Sequence, residues 1–232
     1  DRVDPSPDLL HALMLLRRYR PHDFPFWSHV SYYFRKWSRD GTWRHINDLL
    51  RAKVRLGAGK LIEPSVVIID SQSVKMIKSG GPDGYDAGKH VTGRKRHVVV
   101  DPLGLLLIVV VHIASLQDPA GAKIVLAPLS GRFSRRKRIG ADGIYQGPLG
   151  EWVQDNLPCV LEIVRRAAGE RGFRVLPKRW IVERTLDWFN RYRRLSKDYE
   201  RDLQMGESMV YLASIRLMLR RLDAAKRRTA AR

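Results

Sequence analysis

Asp70, Asp142 and Glu183 are the side chains whose setting most suggests chemistry. Val66-Val67-Ile68-Ile69 runs directly into Asp70, and Arg138-Ile139-Gly140-Ala141 runs into Asp142. An apolar strand that closes on a carboxylate puts a charge at the carboxyl edge of a sheet, where open α/β sheets hold their ligands. Gly143 then lets the chain turn sharply away. Glu183 lies in a helical pattern that points Ile181, Val182, Leu186, Phe189 and Tyr192 inward, and Arg179, one turn earlier, shares its face. Three converging acids repel one another and raise their own pKa values, a conflict that hard divalent cations such as Mg2+ or Mn2+ relieve. Two such ions about 4 Å apart align an attacking hydroxyl and steady the leaving oxygen of a phosphodiester. Order alone says little in a chain with 24 acids, so the weight rests on the placement at strand ends.

The rest of the composition is the opposite of acidic. Among 232 residues, 43 Lys and Arg against 24 Asp and Glu give a formal net charge of +19. Basic runs recur at Arg94-Lys95-Arg96, Arg135-Arg136-Lys137-Arg138, Arg191 to Arg194 and Lys226-Arg227-Arg228. A single run reads equally well as a solvated face, but their sum implies a polyanionic partner. Lys75, Lys89, Arg94, Lys95 and Arg96, which follow the first aspartate in sequence, are the candidates to hold DNA without sequence preference. The most apolar stretch, Leu103 to Ala114, is interrupted by Gly104 and His112 and reads as a buried strand, not a membrane span. The lone Cys159 excludes an internal disulfide and a cysteine zinc cluster, and fits a reducing cytoplasm. No secretory signal opens the chain, which starts on Asp1 as a fragment or trimmed product does.

The elements needed to position the acids follow from periodicity. Leu9, Leu10, Leu13, Leu16 and Tyr19 repeat with helical spacing up to Pro21. Val30, Tyr33, Phe34 and Trp37, then Ile46, Leu49 and Leu50, mark two more helices across Asp40-Gly41. Residues 1–57 thus read as a small, basic, aromatic-rich helical region able to contact DNA, with its aromatics serving equally well as core. Beyond Gly57, the strand ending at Asp70 is followed by a hairpin of Arg96 to Val100 against Leu105 to Ile113, in which Asp101 has an ordinary turn role. The Gly-rich segment from Ser79 to Lys89 reads as a long loop. A crossover helix over Ala120 to Leu129, a strand into Asp142, a helix over Leu149 to Gln154, and short strands at Val160 to Val164 and Phe173 to Leu176 come next. Helices over Arg179 to Arg194 and Met205 to Leu222 close the domain, so the partition is 1–57, 58–223 and a frayed basic tail, 224–232. The class is α/β.

Several other residues read as structural. His90, His97 and His112 lack ligand spacing, Ser71 and Ser73 have no local histidine as base, and the Gly80 to Gly88 loop lacks the Lys-Ser/Thr ending that binds nucleotide phosphates. Trp188 either stacks on a base or packs.

The words around the acids form a recognisable series. Val67-Ile68-Ile69-Asp70-Ser71-Gln72-Ser73-Val74-Lys75, Gly80-Gly81-Pro82 to Lys89, Gly93-Arg94-Lys95-Arg96-His97, Ala141-Asp142-Gly143 with Tyr145, and Arg179-Trp180-Ile181-Val182-Glu183-Arg184-Thr185 through Tyr199-Glu200 together resemble bacterial insertion-sequence transposases of the insertion-sequence-five-like group. The resemblance covers about residues 22 to 222. It implies a ribonuclease-H-like mixed sheet flanked by helices after a small helical N-terminal region. It also implies Mg2+-dependent (or Mn2+-dependent) DDE chemistry on terminal inverted repeats and target DNA, carried out by a homo-oligomer on paired ends. Asp70, Asp142 and Glu183 fall on the metal-binding triad. In the wider relatives' Tyr-x2-Arg-x3-Glu-x6-Lys signature, Arg179 and Glu183 fit, whereas Leu176 and Asn190 stand where Tyr and Lys belong, leaving Arg191, Arg193 or Lys197 to clamp the phosphate. Ile144 stands where glycine is expected, a costly choice if that site needs a positive φ. Two alternatives remain at this stage: a nuclease of the same fold without strand transfer, and a truncated DNA-binding relic or inhibitor.

Overall fold

The computed structural model describes residues 25–77, 80–164 and 179–230. The helix expected over 9–19 and the strand expected over 173–176 lie outside the described residues.

Helices α1 (Trp27–Arg39) and α2 (Thr42–Gly57) meet at Gly41, whose φ of 79° turns the chain while the Asp40 carboxylate accepts from the Thr42 amide at 3.0 Å. The strands are β1 (Val66–Lys75), β2 (Gly84–Asp86), β3 (Val91–Val100), β4 (Leu106–Ile113), β5 (Arg138–Asp142) and β6 (Val160–Val164). Between them come α3 (Asp118–Leu126), which runs into a 3₁₀ turn (Ala127–Leu129), and α4 (Pro148–Asn156). Helices α5 (Arg179–Asn190) and α6 (Leu203–Ala230) complete the chain. All six strands form one sheet: β3 pairs antiparallel with β1 on one side and with β2 and β4 on the other, and β1, β5 and β6 follow in parallel. Three antiparallel strands continued by two parallel ones, with helices on both faces, make a ribonuclease-H-like fold.

Strand alternation divides the core in two. Ile68, Val98, Val100, Leu106 and Val111 face α5 and α6 on the upper side. Val67, Ile69, Val99, Leu107 and Ile139 face α3 and α4 on the lower side. The helical region joins the upper layer, because Trp43 is 1% exposed there and Phe34, Trp37, Ile46 and Leu50 pack beside it. These aromatics serve the core: Trp37 meets Trp43 edge-on, with ring centroids 5.0 Å apart. Asn47 completes the docking, donating to the Leu106 carbonyl at 2.9 Å and accepting from Ser214 of α6 at 2.8 Å.

Some elements run differently from the sequence-based expectation. β1 continues five residues past Asp70, because Ser71 to Lys75 pair with Gly93 to His97 after β5 has ended. Inside the Gly-rich segment, β2 pairs Gly84 to Asp86 with Val91 to Gly93. Helix α6 runs on to Ala230 instead of fraying from Ala224. Asp101 does hold its turn, accepting from the Leu103 and Leu105 amides at 2.9 Å, and it is also buried against the Arg55 guanidinium of α2.

Helix α6 guards the open edge of β4 as well. Glu207 accepts from the Val111 amide at 3.1 Å, and Tyr211, one turn on, meets the backbone of Val109. Burial pushes the Glu207 carboxyl up to about 7, against the lowering effect of that amide. A raised folded pKa means the native state binds the extra proton, so this group's stability contribution is intact below its unfolded value and is lost as pH rises through 7. Glu207→Gln therefore gains on the parent between pH 5 and pH 8, by about 2–3 kcal/mol at the upper end. Thermal melts of both proteins across that range check this, and parallel curves refute it.

Candidate active site

Strands β1 and β5, neighbours in the sheet, carry the two aspartates. Their parallel register runs Val66 with Arg138, Val67 with Ile139 and Ile68 with Gly140. Two residues further along each strand, on the same upper face, stand Asp70 and Asp142. β5 ends there, so the pair lies at the carboxyl edge of the parallel half of the sheet. Asp70 accepts from the Ser71 amide at 2.7 Å, and Asp142 accepts from the Ile144 amide at 2.9 Å in the 3₁₀ turn Gly143–Tyr145. Helix α5 lies over this face, with Ile181, Val182, Leu186 and Phe189 in the upper core and Glu183 exposed. Asn190, two turns beyond Glu183, accepts from Gln72 of β1 at 2.9 Å and fixes the helix over the strand that bears Asp70. Among the described residues, no three His, Cys, Asp or Glu side chains already stand as a group able to hold a metal ion. Neighbouring strands bear the two aspartates, and Glu183 stands exposed on the helix that covers the upper face.

The Arg179 backbone begins α5; its side chain, like Leu176, lies outside the described residues. Ile144 is exposed and its backbone avoids positive φ, since His90 is the one non-glycine residue with positive φ among the described residues. Isoleucine therefore carries no strain at that place.

The basic run of β3 requires a correction. Arg94, Lys95 and Arg96 are 0%, 3% and 2% exposed, because β3 is an inner strand covered on both faces. Arg94 points up and binds Asp198 at 3.1 Å together with the carbonyls of Pro82, Glu200 and Arg201. Arg96, two residues on, donates to the carbonyls of Leu195 and Lys197. Lys95 points down, 3.3 Å from both Asp86 and Asp118. These three cations hold the fold together and are not presented to DNA. Lys75, Lys89, Arg191, Arg193 and Lys197 are exposed. Trp188 packs instead of presenting a face, with Arg184 at 4.6 Å and Arg221 at 5.0 Å from its ring centroid.

Beneath Asp70 lies a buried polar layer that sequence reasoning missed. Ser71 donates to Asp118 at 2.5 Å, and Asp118 opens α3, where a carboxylate suits the helix N-terminus. His97 and His112 stack with centroids 4.9 Å apart and share a 2.7 Å hydrogen bond, and His97 lies 3.5 Å from Asp118. Burial holds both imidazoles below their ordinary pKa. For Asp118, burial favours the neutral acid, but the Ser71 hydroxyl and the Lys95, Lys89 and His97 charges outweigh it and lower the pKa. Gly121 leaves room for the rings, since a Cβ there would stand 2.4 Å from His97. The Tyr145 phenol is kept neutral first by burial and then by the charges of Asp70, Asp118 and Asp142, so both aspartates act on one group. The available signal was Asp118-Pro119 after Leu116-Gln117, an acid and proline opening a helix.

A ribonuclease-H-like sheet with Asp70 and Asp142 on neighbouring parallel strands and Glu183 on a helix over the same face defines an α/β domain of that fold class. Residues 62–218 match the family described as Transposase DDE domain, and the chain belongs to that family. A search of curated proteins finds no match to the chain. Among the described residues, no helix is long and apolar enough to cross a membrane.

Proposed function

We propose that this protein cleaves the ends of an insertion sequence and joins them to target DNA. The placement of Asp70 and Asp142 on neighbouring parallel strands, each two residues beyond the Ile68–Gly140 pair, within a chain of net charge +19, carries the reading. Asp70, Asp142 and Glu183 offer the hard oxygen donors that Mg2+ or Mn2+ takes, and these three would hold the ions. When bound, the ions polarise the scissile phosphate and make water or a DNA 3'-hydroxyl a better nucleophile. The chain's own share is placement: the Ser71 and Ile144 amides orient the two aspartates, and Asn190 with Gln72 sets α5 over them. Arg179 orients Glu183 or a phosphate, while Lys75, Arg191, Arg193 and Lys197 follow the DNA backbone and Lys89 meets the DNA at the residue beside Asp70. Residues 25–57 act with the catalytic unit in holding the terminal repeats, and paired ends call for a homo-oligomer. The place of work is the cytoplasm.

Incubation with DNA bearing the element's own ends, Mg2+ and a supercoiled target tests this. Joined products are expected. Nicked but unjoined DNA favours a nuclease of the same fold, and end binding without cutting favours a relic or inhibitor.

A further inference from the structure

Resting on that reading, we infer that Lys89 is a further catalytic residue, one whose ammonium group meets the scissile phosphate. Its Nζ stands 3.3 Å from the Ser71 carbonyl oxygen and 3.4 Å from the Ser71 hydroxyl, at the residue that follows Asp70. Asn190, which lies over β1 on α5, is uncharged and hydrogen bonded to Gln72, so it brings no cation to this face.

The turn beneath Lys89 is anchored far more firmly than an exposed lysine needs for solubility. One Asp86 oxygen accepts from the Gly88 and Lys89 amides, both at 3.1 Å. The other accepts from Ser73 at 2.6 Å and lies 3.3 Å from Lys95. Burial works against the charged form of Asp86, yet the Ser73 hydroxyl, the Lys89 amide and Lys95 together hold its pKa at about 2, so the anchor stays ionised at any working pH. Lys95 joins this turn to Asp118, and Asp118 joins it to Ser71. One buried network therefore fixes both the backbone of Lys89 and the residue beside Asp70.

Lys89 is an exposed residue whose ammonium reaches in to the two uncharged oxygens of Ser71, its hydrogen-bond partners among the described residues. Asp118, whose carboxylate feels the Lys89 charge, lies beyond the Ser71 hydroxyl and makes no direct contact with the ammonium, so a phosphate entering between Asp70 and Asp142 can become its direct anionic partner. Negative charge on the non-bridging oxygens of a phosphodiester must be offset as the nucleophile attacks, and a preplaced cation needs no reorganisation at that moment. Lys89 differs in this from Lys75, at the far end of β1, whose charge serves only to hold the DNA backbone.

The test uses the full chain on end-bearing duplex with Mg2+, comparing the parent with Lys89→Met and Asp70→Asn. Lys89→Met is expected to lose about 10²–10³-fold in kcat with KM for DNA, duplex affinity and melting temperature close to the parent's. Cleavage by Lys89→Met within about five-fold of the parent, while Asp70→Asn is silent, overturns the inference and leaves the transposase reading standing. A fall in affinity or melting temperature that matches the lost activity also overturns it, making Lys89 a backbone or structural contact. Asp70→Asn cutting like the parent sinks both. Acetylation footprinting gives a reading free of turnover: bound end duplex should protect Lys89 at least ten-fold, and an unprotected Lys89 rejects the inference even if the parent is inactive.

Discussion

Asp142→Asn is expected to abolish cleavage while leaving the protein folded and bound to DNA. The substitution is isosteric, and the amide oxygen of asparagine can still accept from the Ile144 N–H that Asp142 holds at 2.9 Å. The 3₁₀ turn at Gly143–Tyr145 therefore keeps its cap, and the melting temperature should stay within about 2 °C of the parent's, as for a partly exposed substitution without buried loss. What goes is one anionic oxygen at the end of β5. Loss of one of two paired carboxylates from a metal-assisted phosphoryl-transfer site should lower kcat by about 10³-fold or more, roughly 4 kcal/mol of barrier. Gel shift, thermal melt and cleavage of end-bearing DNA, run side by side, decide the point. Unchanged cleavage removes Asp142 from the chemistry; lost binding makes it a structural or DNA-holding residue.

The two aspartates were legible in sequence because each ends an apolar run, and a strand register does the rest. Pairing Ile68 with Gly140 makes neighbours of residues that are far apart in the chain. The exact end of β1 was not legible. Ser71 to Lys75 alternate small, polar and apolar residues and resemble a loop entry, and only β3 on one side reveals that they continue the sheet. The long stretch from Ser79 to Lys89 hid β2 for the same reason, since three residues pair only because β3 reaches beyond the end of β4. Glu183 was proposed from helical phase, and phase fixes a face and not a distance.

The basic run in β3 misled for a clearer physical reason. Charge read along a sequence suggests solvent, whereas strand alternation sends Arg94 and Arg96 to one layer and Lys95 and His97 to the other. Each found anionic or carbonyl partners contributed by other elements: Asp198 and Leu195 above, Asp86 and Asp118 below. Burial of a charge is tolerated only with such partners, and nothing near the run announces them. The same blindness hid the layer beneath Asp70. Its members come from β1, β2, β3, β4 and α3, and the fold alone brings them together.

That correction can be measured at Arg94. Arg94→Met is expected to destabilise the fold by about 3–5 kcal/mol, the usual cost of leaving one partner of a buried pair alone. Arg94 and Asp198 are 0% and 1% exposed, and the guanidinium also satisfies the carbonyls of Pro82, Glu200 and Arg201 at 2.7 to 3.0 Å. Methionine fills much of the volume but donates to none of them, and among the described residues the Asp198 carboxylate keeps as donor only the Glu200 amide, at 3.0 Å. For a chain of this size the melting temperature should fall by about 10 °C or more. Asp198→Asn in the Arg94→Met background should recover part of the loss, because the stranded charge is then gone. Lys75→Ala supplies the contrast: exposed at the end of β1, it should change stability by less than about 0.5 kcal/mol while weakening duplex binding and lowering the salt slope by about 1. If Arg94→Met instead melts with the parent and loses only affinity for DNA, the run in β3 contacts the nucleic acid after all, and the buried arrangement is not the one the protein uses.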